Sequence, residues 1–210
     1  MRPLYKLYSP ANENTSGIVS GATGATSPLT LVASGAGDSL AHQLSITSAS
    51  NISGVTFTIT GTDADGVTLT EAVTGPNATT VESTGYFLTV TSITISATLG
   101  AATANVGWVD EITTPTVQLN NYARGVSANV DVTGTVNYTV QGTHSNMRTR
   151  VEDGPFNWFD ISDPNIDVID ITTDVQFGLF PIPRAIRLKT NSYSSGATLA
   201  LYMIHTLDAG

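Results

Sequence analysis

Between Ile52 and Pro76 the chain alternates apolar and hydroxyl-bearing residues so regularly that one kind of element is dictated. Val55, Phe57 and Ile59 alternate with Thr56, Thr58 and Thr60. Asp63, Ala64, Asp65 and Gly66 then turn the chain, and Val67, Leu69 and Glu71 resume the two-residue period. Successive strand side chains point to opposite faces, so this is a β-hairpin with one apolar and one hydroxyl-coated face. Asp bonds its own backbone in the turn, and Gly accepts positive φ without a Cβ clash.

The pattern recurs along the chain. Leu29 and Leu31, then Leu40, Leu44 and Ile46, then Val81, the run Phe87 to Ile95 and the run Ala104 to Val109 form short alternating segments divided by Gly, Asn, Asp or Pro. Such spacing marks an all-β sandwich or barrel. Helix has no natural place, because Thr, Val and Ile lose side-chain freedom in it. TPTVQLNN, with Pro115 closing what precedes it, reads as a connector.

Beyond residue 120 the pattern begins again. GTVNYTVQGT places Val136, Tyr138 and Val140 where GVTFTITGT places Val55, Phe57 and Ile59, and RAIRLKTNSYSSGATLALYMI resembles VTSITISATLGAATANVGWV as strand, small-residue turn and strand. Roughly a dozen extra residues separate the matched segments in the second copy. The expectation is therefore an all-β chain of two small antiparallel β-sandwich domains, Ig-like or jelly-roll-like, related by internal duplication and preceded by an extended arm. Its boundaries are 1–27 for the arm, 28–112 for the first sandwich, 113–122 for the connector and 123–210 for the second sandwich, with an insertion loop at 144–164.

Two stretches are candidate interaction elements. After Leu4, Tyr5, Leu7 and Tyr8 the arm dissolves into Asn, Ser, Thr, Gly and Ala, a composition that cannot offset its own ordering entropy. It is either a frayed end or an arm whose Tyr5 and Tyr8 dock onto an adjacent subunit. The insertion sets Phe156, Trp158 and Phe159 beside Arg148 and Arg150. Aromatics and Arg are what interfaces favour, yet an aromatic at alternate positions also plugs the core of its own β domain, so both roles stay open for Trp158.

Charge and composition narrow the function. The formal net charge is −9, which disfavours nucleic-acid binding because nothing would neutralise phosphates. Only 12% of residues are charged, and Thr, Ser, Gly and Ala take the surface positions, as suits a protein packed against neighbours. With no cysteines, disulfides and thiolate metal sites are excluded. The first residues carry two cations but no apolar run typical of a secretory signal, and nothing approaches the roughly 20 apolar residues that span a bilayer. The chain reads as soluble and made in the cytosol, or as one whose export signal has been removed, with no membrane partner.

Catalytic constellations do not assemble. Asp63, Asp65 and Gly66 imitate the start of a calcium loop but lack its later ligands, so a hairpin turn is the expectation. His42, His144 and His205 stand singly, and no nucleophile elbow, phosphate loop or dinucleotide fingerprint occurs. The carboxylates Glu152 and Asp153, or Asp160 and Asp163, are loop neighbours rather than a pair held across a sugar cleft. The expectation is no enzyme, no cofactor and no metal.

GVTFTITGTDADGVTLTEAVTGP together with PRAIRLKTNSYSSGATLALYMIH resembles small virion proteins of tailed bacteriophages, among the head and head-to-tail components. The resemblance covers about half the chain, chiefly 52–76 and 183–205. It implies a structural role, many copies, and no catalytic residues to carry over. The expectation it supports is a capsid decoration (cement) protein on the outer surface of the virion, synthesised in the bacterial host cytoplasm. Its partners would be the major capsid protein and copies of itself, a trimer being the first expectation. A neck, tail or fibre-associated protein shares these features. A carbohydrate-binding or adhesin-like module is the alternative of another class, and would need Trp108, Trp158, Tyr122 or Tyr193 as an exposed stacking platform. The interface residues expected are Tyr5, Tyr8, Arg148, Arg150, Phe156, Trp158 and Phe159.

Overall fold

The computed structural model describes residues 3–25, 27–119, 125–145, 157–163, 166–179 and 181–206. Among them every regular element is a strand. The chain divides into two units, Ala11–Thr113 and the split pair Met1–Pro10 with Thr114–Gly210.

The first strand, β1 (Leu4–Tyr8), belongs to the split unit. The inserted unit follows, with β2 (Asn14–Ala22), β3 (Ala41–Thr47), β4 (Thr56–Thr62), β5 (Thr68–Thr74), β6 (Thr80–Phe87), β7 (Thr89–Ile95) and β8 (Ala104–Thr113). One of its sheets runs β2-β8-β3-β6 and the other β5-β4-β7, all antiparallel. Residues 27–34 extend the second sheet beyond β7, through Leu29 N–H to Ile93 O at 2.8 Å and Val90 N–H to Ser34 O at 2.7 Å. Between the sheets lie Ile18, Leu44, Ile46, Phe87 and Val106 from one side and Phe57, Ile59, Val90 and Ile93 from the other. The expected alternation is present, since Phe57 and Ile59 are fully buried while Thr56, Thr58 and Thr60 are part-exposed.

The split unit repeats this plan. Its later strands are β9 (Val117–Gln118), β10 (Gly125–Thr133), β11 (Val136–Thr143), β12 (Phe159–Asp160), β13 (Ser162–Asp163), β14 (Ile166–Asp167), β15 (Val175–Leu179), β16 (Ala185–Tyr193) and β17 (Thr198–Thr206). One sheet runs β1-β17-β10-β15 and the other β9-β16-β11-β12, while β13 and β14 pair with each other. Position by position, β1-β17-β10-β15 matches β2-β8-β3-β6, and β16-β11-β12 matches β7-β4-β5. In each unit the first and last strands are neighbours in one sheet, and the second segment lies in the other. That is the jelly-roll arrangement and not the Ig-like one, whose first two strands share a sheet.

The duplication is nested rather than tandem. All of Ala11–Thr113 sits between the first and second strands of the split unit. Neighbouring first and last strands make this possible by bringing the ends of the inserted unit together: Glu13 N–H reaches Asp110 Oδ1 at 3.0 Å, and Asn14 stands opposite Trp108. Domain insertion is tolerated where termini are adjacent.

Three expectations change accordingly. Residues 1–27 are not an arm, because β1 pairs with β17 and β2 with β8. Gly17 of β2 serves close packing, since Trp108 lies where its side chain would be. The connector at 113–122 is in part a jelly-roll strand: Thr114 N–H bonds Leu188 O at 3.0 Å and Leu119 N–H bonds Arg184 O at 2.9 Å. Finally, the small-residue turn SYSSGA does not join two paired strands. It carries the chain from β16 in one sheet to β17 in the other.

Candidate interaction surface

β17 is apolar on both faces. Leu199, Leu201 and Met203 are buried, while Tyr202 and Ile204 on the opposite face are 39% and 51% exposed. Register sets Tyr5 opposite Tyr202 and Leu7 opposite Ala200, so β1 extends the exposed face with Tyr5 at 52% and Leu7 at 55%. Four of the seven exposed large apolar side chains among the described residues therefore share one patch on two neighbouring strands. Scattered surface apolars need no explanation, whereas a contiguous patch marks a contact site.

The patch has a polar border. The rings of Tyr5 and Tyr202 lie with centroids 4.8 Å apart at a 43° tilt. Beside them β10 presents Ser127, Asn129 and Asp131, in register with Ile204, Tyr202 and Ala200, and the Asn129 amide donates to Asp131. The Tyr202 phenol is raised above its ordinary value, first by loss of solvent and then by Tyr5 and Asp131. The surface offers rings, methyls, hydroxyls and amides, chemistry suited to docking. β1 ends the sheet, and its exposed Lys6 opposes further strand addition, as edge lysines do.

The other expected interface residues fall in different places. Tyr8 is 8% exposed, with its hydroxyl bonded to the Thr114 side chain and its phenol raised mainly by burial. It packs into its own unit and is no docking residue, because strand parity points it opposite to Leu7. Phe159 is exposed at β12 and stacks on His144 at 5.1 Å; Gly142 leaves room for its ring. Trp158 is half-buried beneath Arg187, whose guanidinium carbon is 4.2 Å from the ring centre. Arg187 Nε donates to Gln141 Oε1 at 2.8 Å, and Gln141 Nε2 donates to Asp160 Oδ1 at 2.8 Å. This ladder fastens β12 to β11 and β16, and it engages Trp158 within its own unit. Arg148, Arg150 and Phe156 lie outside the described residues, as does Tyr122.

The stacking platform that the alternative, a sugar-binding module, would need is not formed by Trp108 or Tyr193. Trp108 is buried with its indole N–H on Asn12 O at 2.8 Å, and Tyr193 is 6% exposed. Asp63 performs turn work, its Oδ1 accepting from Asp65 N–H and Val67 N–H, each at 2.9 Å. Among the described residues no three His, Asp or Glu converge as a metal site would require.

Two carboxylates that fasten the fold escaped sequence reasoning. Asp38 Oδ2 accepts from Ala11 N–H and contacts His42 Nε2, both at 2.7 Å, while Oδ1 accepts from Leu40 N–H at 3.0 Å. Burial alone would raise this carboxyl, but the His42 bond with the Ala11 and Leu40 N–H bonds outweighs it and holds the value low. Glu71 on β5 accepts from Thr84 N–H, Thr84 Oγ1 and Gly85 N–H at 2.7, 3.0 and 2.8 Å, tying β5 to β6. Tyr202 and Ile204 had a legible signal that went unused: TLALYMI is apolar at odd and even positions, the mark of a strand covered on both faces.

Comparison with protein-family models, with curated proteins and with solved structures finds no match.

Proposed function

We propose that this chain is a structural component of a tailed-phage virion, a decoration protein that lies across major capsid subunits and adds contact area to the shell. The carrying observation is the Tyr5, Leu7, Tyr202 and Ile204 patch across β1 and β17, the latter already buried on its other face. A stable interface buries about 800 Å² per partner, more than four half-exposed side chains supply. The rest comes from the polar border on β10 and from many weak contacts acting together in a shell. Binding only the assembled shell stabilises it by mass action. The resemblance of 52–76 and 183–205 to virion proteins supplies the phage context, and the acidic balance fits a basic partner surface.

Purified particles incubated with the protein and sedimented test the reading. Saturable co-sedimentation, lost with Tyr5→Ser plus Tyr202→Ser, is the expected result. Equal binding by that variant removes the patch from the account, and no binding by the native chain removes the decoration role.

A further inference from the structure

The split unit obtains its first strand across a whole intervening unit. β1 is joined by Ser9 and Pro10 to Ala11–Thr113, which forms a jelly roll with a hydrophobic core of its own. The sheet in which β1 sits is otherwise built from residues beyond Thr114. Among the described residues, β1 pairs in that sheet with β17, through five register pairs from Leu4↔Met203 to Tyr8↔Leu199. Tyr5 against Tyr202 and Tyr8 against Thr114 complete the seat.

We propose that β1 is an exchangeable strand, donated to β17 of a second copy of this chain when copies are crowded. Every contact β1 makes on β17 is offered identically by β17 of any other copy, so exchange forfeits no native contact. The choice between own and neighbouring β17 is then set by concentration. A tethered segment meets its own site at an effective concentration of about millimolar, and copies packed side by side reach the same range.

The joint suits this role. Ser9 is exposed between buried Tyr8 and buried Pro10, and a residue preceding proline is held to extended backbone. Ala11 is anchored on the far side by Asp38 at 2.7 Å. Two extended residues reach about 7 Å, so exchange requires the accepting β17 to lie directly alongside the donor. Lys6 at the open edge disfavours addition of a further strand, so exchange replaces one β1 by another and does not widen the sheet.

The absence of cysteine makes the test clean. Tyr5→Cys and Tyr202→Cys occupy directly opposed positions, within disulfide reach in an antiparallel pair. The two single variants, one of them enlarged by a tag, are unfolded together, refolded, oxidised and analysed by gel and peptide mass. A heterodimer whose disulfide joins position 5 of one variant to position 202 of the other, the main cross-linked species near about 1 mM and absent near about 10 µM, is the expected result. The double variant in one chain, closing internally at low concentration, verifies that the pair is competent. No mixed disulfide between the two variants at any concentration overturns the proposal, and so does failure of the double variant to close. Neither result bears on whether the protein decorates a shell, since only purified chain is used.

Discussion

The indole ring of Trp108 occupies the space a side chain on Gly17 would need: a Cβ built there lies 2.1 Å from Cζ3 and 2.3 Å from Cη2. The ring cannot swing aside, because its N–H is bonded to Asn12 O at 2.8 Å and it is 8% exposed. Gly17→Ala is therefore expected to destabilise the inserted unit by about 1–3 kcal/mol, as overpacking does. Urea unfolding followed by tryptophan emission measures it, and an unchanged midpoint contradicts the packing.

The sandwich core and the outer hydroxyl face should respond differently. Phe57→Ala empties a fully buried site and is expected to cost about 3–5 kcal/mol. Thr58→Ala, its neighbour on the outer face, should stay within about 0.5 kcal/mol. Denaturant midpoints of the two variants give the comparison.

Asp38 confers an acid-side dependence. Its carboxyl is lower in the folded chain than in the unfolded one, so its stabilisation is present above the ordinary carboxylate value near about 4 and is lost as pH falls through the folded value. Asp38→Asn should flatten that part of the stability profile and weaken the hold on Ala11. The loss expected at neutral pH is about 1–3 kcal/mol, from charge-assisted hydrogen bonds given up. Thermal unfolding from pH 7 down to pH 3, wild type against variant, shows whether the slope disappears.

Arg187 lies over Trp158 and bonds Gln141. Arg187→Ala should unfasten β12 and change Trp158 emission, with a stability loss of about 1 kcal/mol or less from the cation–π contact. Wild-type emission in the variant would contradict the ladder.

Fold class was legible because Val55, Phe57 and Ile59 alternate with threonines, and the structure buries those three. The two matched pairs of segments also occupy equivalent strands, β4 with β11 and β7 with β16. What stayed hidden was pairing. Nothing local in LYKLY says that its partner lies at the other end of the chain, and the Gly and Ser of β2 look like disorder until Trp108 is seen resting on Gly17. Of the candidate surface, Tyr5 was found through its residue type. Tyr202 and Ile204 required the recognition that β17 is apolar on both sides, and Tyr8 was misplaced because neighbouring strand residues face opposite ways.

As proposed, this chain contributes contact area through the β1 and β17 face. Electron cryo-microscopy of intact particles carrying the protein is the decisive measurement. Paired jelly-roll density is expected on the outer shell, with Tyr5, Leu7, Tyr202 and Ile204 covered by a neighbouring protein. Particles in which that face is bare to solvent would contradict it.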